Sequence, residues 1–161
     1  MTSATGSFAL PMPPRQAFHL FTPRGEQVWA EGWQPHFPAS PIDDTEPGTV
    51  FITTTRDQVT TWVVVDRVAG QSIRYARVVP GVTAGTVLVN LRPTGGGTEV
   101  TVSYDLTALA AEAEPDLRDF FAGFGRYLES WREAIGAIRS DEWRTGGSTA
   151  AEPQPAPPTG A

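Results

Sequence analysis

Between Gly48 and Thr107 the chain alternates in the manner of strands. Five segments, 48–56, 58–68, 72–80, 83–93 and 98–107, are rich in Val, Ile, Thr and aromatic residues. The last is the clearest: Val100, Val102, Tyr104 and Leu106 interleave with Thr101, Ser103, Asp105 and Thr107, one face for a core and one for water. Turn residues separate the segments at Arg56-Asp57-Gln58, Ala69-Gly70-Gln71, Pro80-Gly81 and Thr94-Gly95-Gly96-Gly97. Connections this short join only antiparallel neighbours, because parallel pairing needs a long crossover. The pattern predicts a meander.

After it the period becomes helical. Leu117, Phe121, Phe124, Leu128, Trp131, Ile135 and Ile138 recur at gaps of four and three, with Pro115 in the first turn and charged residues on other faces. A helix over 115–139 would be roughly 37 Å long, enough to cross a sheet. Ahead of the meander, residues 6–11 read as a short strand. Residues 14–21 read as a helix with Ala17, Phe18 and Phe21 on one face. A second short helix is expected over 22–30, with Thr22 as N-cap, Pro23 next, and Val28 and Trp29 facing inward. Residues 32–47 hold four prolines and no clear period. This loop exceeds the usual connection of about 4–6 residues, a length often associated with binding elements.

Composition narrows the chemistry. The net charge is −6 and the twelve basic residues are all arginines. No basic surface is available for nucleic acid, and Schiff-base or P-loop lysine chemistry is excluded. Without cysteine there is no disulfide, thiolate nucleophile or Cys-ligated metal. No secretory leader and no long apolar run is visible, so a cytoplasmic protein without integral membrane association is expected. Residues 1–139 are read as one domain, and 140–161, rich in Gly, Pro, Ala and Thr, as a disordered tail.

The order of elements, with Phe8-Ala9-Leu10-Pro11, Pro14-Arg15-Gln16-Ala17-Phe18, Trp29-Ala30-Glu31-Gly32-Trp33-Gln34-Pro35, Ile73-Arg74-Tyr75-Ala76-Arg77 and Thr98-Glu99-Val100-Thr101-Val102, resembles the START/Bet v 1-like superfamily. This superfamily is also called SRPBCC or polyketide cyclase/dehydrase-like, and the likeness is to its small bacterial members. It implies an α+β helix-grip fold: a curved antiparallel sheet of about six strands wrapped on a long C-terminal helix, two short helices following the first strand. It also implies a cavity between sheet and helix, with binding or transport of a hydrophobic or aromatic small molecule there. Cyclase, aromatase or dehydratase activity without a metal or covalent nucleophile is the alternative, and a co-chaperone-like protein-binding role a more distant one. No cofactor or metal is implied. The sequence leaves the oligomeric state open, a homodimer included.

The candidate ligand-binding residues are Trp29, Trp33, Trp62, Tyr75, Arg77, Tyr104, Phe120, Phe121 and Phe124, because aromatic side chains dominate apolar sites. Trp33, in the proline-rich loop, is placed at the cavity mouth. Core packing explains the other rings as readily. Gly123 and Gly125 are read as leaving space beside the phenylalanines. Tyr75 and Arg77 share one strand face with Ile73 and Val79, and whether that face points inward is left open; exposure is the commoner state of arginine. Candidate catalytic residues are His36, Tyr75, Arg77 and Tyr104: Arg77 for an enolate, a Tyr or His for proton transfer.

Overall fold

The computed structural model describes residues 1–145, with side chains as far as Ile138. Strand β1 (Thr2–Leu10) leads into helix α1 (Pro14–Ala17) and two 3-10 turns, Phe18–Phe21 and Gly25–Val28. The meander follows as β2 (Val50–Thr55), β3 (Gln58–Val68), β4 (Ser72–Val79), β5 (Thr83–Thr94) and β6 (Gly97–Ala108). After a 3-10 turn at Ala111–Ala113 come α2 (Glu114–Ala122) and α3 (Phe124–Thr145). All six strands form one antiparallel sheet in the order β1-β6-β5-β4-β3-β2. This is the expected helix-grip arrangement.

The turns explain the meander. Arg56 (φ 51°) and Asp57 (φ 66°) both take left-handed backbone between Thr55 and Gln58, the geometry whose twist matches a two-residue hairpin. Glycine supplies positive φ at the three other hairpins, at Gly70, Gly81 and Gly96. A bulge between Val64 and Asp66 breaks the β3–β4 register, and bulges bend a strand and increase its twist. Opposite, β1 and β6 are zipped on their outer face by hydroxyl pairs, Thr5 with Ser103 (3.0 Å) and Ser7 with Thr101 (3.1 Å).

Inward residues alternate as the period of two requires: Phe51 and Thr53; Thr60, Trp62 and Val64; Ile73, Tyr75, Arg77 and Val79; Val87, Val89 and Leu91; Val100, Val102, Tyr104 and Leu106. α3 closes onto this face beside β1. It approaches so closely that a Cβ on Gly6 would lie 2.6 Å from Leu128 Cδ1.

Two helical expectations are corrected. The predicted single helix is two, broken at Gly123 (φ −97°, ψ 14°), whose N–H closes α2 on Asp119 and Phe120 carbonyls. Phe120 lies in the core and Phe121 is half-buried. Gly123 and Gly125 are exposed, so neither opens interior space. Near the N-terminus, Val28 is 50% exposed while Glu26 is buried. The segment is a 3-10 turn with three residues per turn, which puts Glu26, not Val28, on the face of Trp29. α3 also extends to Thr145, past the expected end at Arg139; the rest of the expected tail, 146–161, lies outside the described residues. Among the described residues no helix is long and apolar enough to cross a membrane.

Candidate functional site

Sheet, short helical turns and α3 converge on a small, partly open cavity of about 20 Å³. That volume admits one water-sized group. Phe21, Glu26, Trp33, Trp62, Tyr75, Arg77, Val87, Val89, Tyr104, Tyr127 and Trp131 line it. Ring packing makes the wall: Phe51 and Trp62 stack at 5.8 Å, Trp33 meets Trp62 edge-on at 5.5 Å, and Tyr127 meets Trp131 at 5.4 Å.

Arg77 settles the open strand face: β4 turns Ile73, Tyr75, Arg77 and Val79 inward, and Arg77 is 1% exposed. Its guanidinium donates to Thr83 Oγ1 (3.2 Å) and lies 5.7 Å from the Trp62 ring centroid. Its register partner on β5 is Gly85, where the β6 backbone leaves no room for a Cβ (1.9 Å from Asp105 O). No side chain at 85 competes with the guanidinium for that part of the sheet. Burial lowers the Arg77 pKa, while the Tyr104 and Tyr127 phenols raise it. Arginine keeps its proton at neutral pH even so.

The tyrosines are donors as well. Tyr104 and Tyr127 share a hydrogen bond of 3.2 Å. Burial pushes Tyr104 up to about 12 and Tyr127 well above its ordinary value. Tyr75 donates to Phe21 O (2.6 Å), and its pKa is raised by burial first, then by Glu26 and Asp44. The Trp131 indole N–H lies close enough to Tyr127 to lower that phenol's pKa, yet without the geometry of a hydrogen bond. It therefore has no acceptor among the described residues. Glu26 is the acid of the wall, and burial raises its pKa well above the carboxylate range.

Of the residues singled out from sequence, Trp33, Trp62, Tyr75, Arg77 and Tyr104 line this cavity. Trp33 is an inner-wall residue, not a mouth residue: it is buried, and Nε1 donates to Pro23 O (2.7 Å). Trp29 stands behind the wall, packed on Phe21 and Trp131, with Nε1 donating to Leu20 O (2.7 Å). Phe120, Phe121 and Phe124 cluster with one another and around Tyr104 and Tyr127, outside the lining. His36 is exposed; its backbone pairs with Ile52, anchoring loop 32–47 to the edge strand, and its ring is not at the cavity. Glu26, Tyr127 and Trp131 were not singled out. Tyr127 falls between Phe124 and Trp131 at gaps of three and four, a spacing that could have placed it on the inward stripe. Glu26 stands three residues before Trp29, a spacing that shares a helix face, but a carboxylate is ordinarily exposed and so was not placed inward.

Comparison with known proteins bears on the family and the fold. A family model described as "Polyketide cyclase / dehydrase and lipid transport" matches residues 1–129. No curated protein matches the chain. Among solved structures it is similar to CalU16 from Micromonospora echinospora, at 14% identity over 88% of this chain and 78% of that one, with a TM-score of 0.61. It is also similar to MLL2253 from Mesorhizobium loti, at 15% identity over 89% and 98%, with a TM-score of 0.62. A third similar structure is DynU16, a protein in the dynemicin biosynthetic locus, at 16% identity over 90% of this chain and 48% of that one, with a TM-score of 0.58. At these identities the likeness is one of fold.

Proposed function

The chain belongs to the polyketide cyclase/dehydrase and lipid transport family over residues 1–129, and from that premise we propose that it binds a hydrophobic or aromatic small molecule bearing an acidic oxygen between its sheet and α3. One observation carries this reading. Arg77, Tyr127 and the acceptor-less Trp131 N–H, all hydrogen-bond donors, line a single cavity whose remaining wall is mostly aromatic. A buried donor without an acceptor costs about 1–3 kcal/mol, so an oxygen placed there recovers stability. A carboxylate, phenolate or enolate supplies that oxygen, and the rings hold the body of the molecule.

The present volume is too small for a ring, so binding displaces lining side chains. Trp33 is the candidate to move, because it lines the cavity from an irregular loop and not from a strand or helix. Native mass spectrometry of the purified chain, followed by calorimetric titration with phenylalkanoic acids and the matching alcohols, tests the reading. The acids are expected to bind, and Arg77→Leu to weaken them at least tenfold while leaving the alcohols unaffected, since hydrogen bonds to charged groups are worth about 1.5–3 kcal/mol. Failure of both acids and alcohols to bind would sink it.

The family description and the buried carboxyl of Glu26 favour a second reading, a cyclase- or dehydratase-like enzyme in which binding and proton transfer share the cavity. It requires turnover of a poly-ketone substrate that Glu26→Gln abolishes while binding persists.

A further inference from the structure

Glu26 is 8% exposed and lines the cavity with Phe21, Trp33, Tyr75 and Trp131. Its main chain is committed to the turn: the carbonyl accepts from Trp29 N (3.2 Å) and Ala30 N (2.8 Å). Its carboxyl makes no hydrogen bond and no ion pair among the described residues. Arg24, two positions earlier, is turned to the outer loop, where it donates to Pro41 O (2.8 Å) and lies over the Phe37 ring. Arg77 is held by Thr83 and Trp62. Burial among rings, with no cation bonded to it, raises the pKa of this carboxyl, and its protonated form carries one O–H donor. A charge-stabilising group on the ligand is unnecessary at that point; a neutral acceptor is what satisfies it.

The polar lining thus has two parts. Arg77, Tyr104, Tyr127 and the Trp131 N–H, on β4, β6 and α3, suit an ionised or enolic oxygen. Glu26, on the 3-10 turn, suits an uncharged one. We propose that Glu26 is the specificity-determining residue of this cavity: its carboxyl donates to a neutral carbonyl oxygen of the ligand, so the site selects molecules that carry a ketone, ester or amide besides their acidic oxygen. The assignment rests on the reading of the cavity as a ligand site. A second carboxylate on the ligand is disfavoured there, because it would bury a second anion with no cation bonded to it.

The test is calorimetry on the full chain with two probes of equal length, phenylhexanoic acid and benzoylpentanoic acid, which differ by a ketone next to the ring. The wild-type chain is expected to bind the keto acid more tightly by several-fold, up to about tenfold, the worth of one buried hydrogen bond. Glu26→Met, close in volume and without a donor, should bind both acids equally. Glu26→Gln, whose amide N–H can replace the O–H, should restore the preference. Equal wild-type affinities, or a preference that survives Glu26→Met, would overturn the assignment while leaving the ligand site standing. If neither acid binds the wild-type chain, the ligand site falls and the assignment falls with it. The wild-type comparison needs no variant to fold.

Discussion

Glu26 and Asp43 shift in opposite directions, and their effects on stability against pH run oppositely. Folding raises the Glu26 pKa through burial, so the folded chain holds this proton more tightly than the unfolded one. Stability from this group is greatest below the unfolded value of about 4.3 and falls as pH rises past it, the loss being complete above the raised folded value. Glu26→Gln lacks that decline. In urea denaturation the variant should gain on the wild type as pH rises past the ordinary carboxylate value, and parallel curves would refute the buried acid. Asp43 is held down to about 2 by Arg67 and then by Thr45. Its contribution is present above the ordinary carboxylate pKa and lost as pH drops towards 2. Because its side chain is 46% exposed, Asp43→Asn should cost only about 0.5 kcal/mol at neutral pH. Tyr75, Arg77 and Tyr104 were within reach of sequence reasoning, because a strand has only two faces. Arg77 was harder, since the base rate for arginine favours water over the tertiary context that buried it here.

At the scale of elements, the hairpins and the glycines make separable predictions. Replacing Arg56 with Asn and Asp57 with Gly puts residues suited to positive φ into the β2–β3 turn and should stabilise the chain by about 1 kcal/mol. Gly136→Ala, on α3 where a Cβ meets nothing within 4 Å, should add about 0.5–1 kcal/mol. Gly85→Ala should cost several kcal/mol or prevent folding, because the obstacle is a strand carbonyl that cannot step aside. Thermal and denaturant midpoints check all three. The five meander segments were legible within a residue or two at most ends, because turn chemistry and period of two agree there. Neither helical misreading was visible in the period: Gly123 breaks the helix without breaking its apolar stripe, and a 3-10 turn imitates a short α-helix until its inward residues are known.

For the whole molecule, the sheet order explains why the first strand matters. β1 pairs with β6, the last strand, and lies beside α3, so the start of the chain joins the sheet to the helix. A chain lacking residues 2–10 loses the β6 partner and the platform of α3 together, and its circular dichroism should show no cooperative melt. The fold was readable because a meander followed by an amphipathic helix has few ways to bury both apolar faces. The site was readable only in part, because it is assembled from β4, β6, a 3-10 turn and α3, whose meeting point is set by sheet curvature and not by any local spacing. That meeting point also leaves four indoles in two pairs, Trp29 with Trp131 at 5.3 Å and Trp33 with Trp62 at 5.5 Å. Chromophores this close share their excited states, so the protein carries its own optical ruler. Whatever enters between these rings must change the exciton signature, and with it the emission, without any added dye.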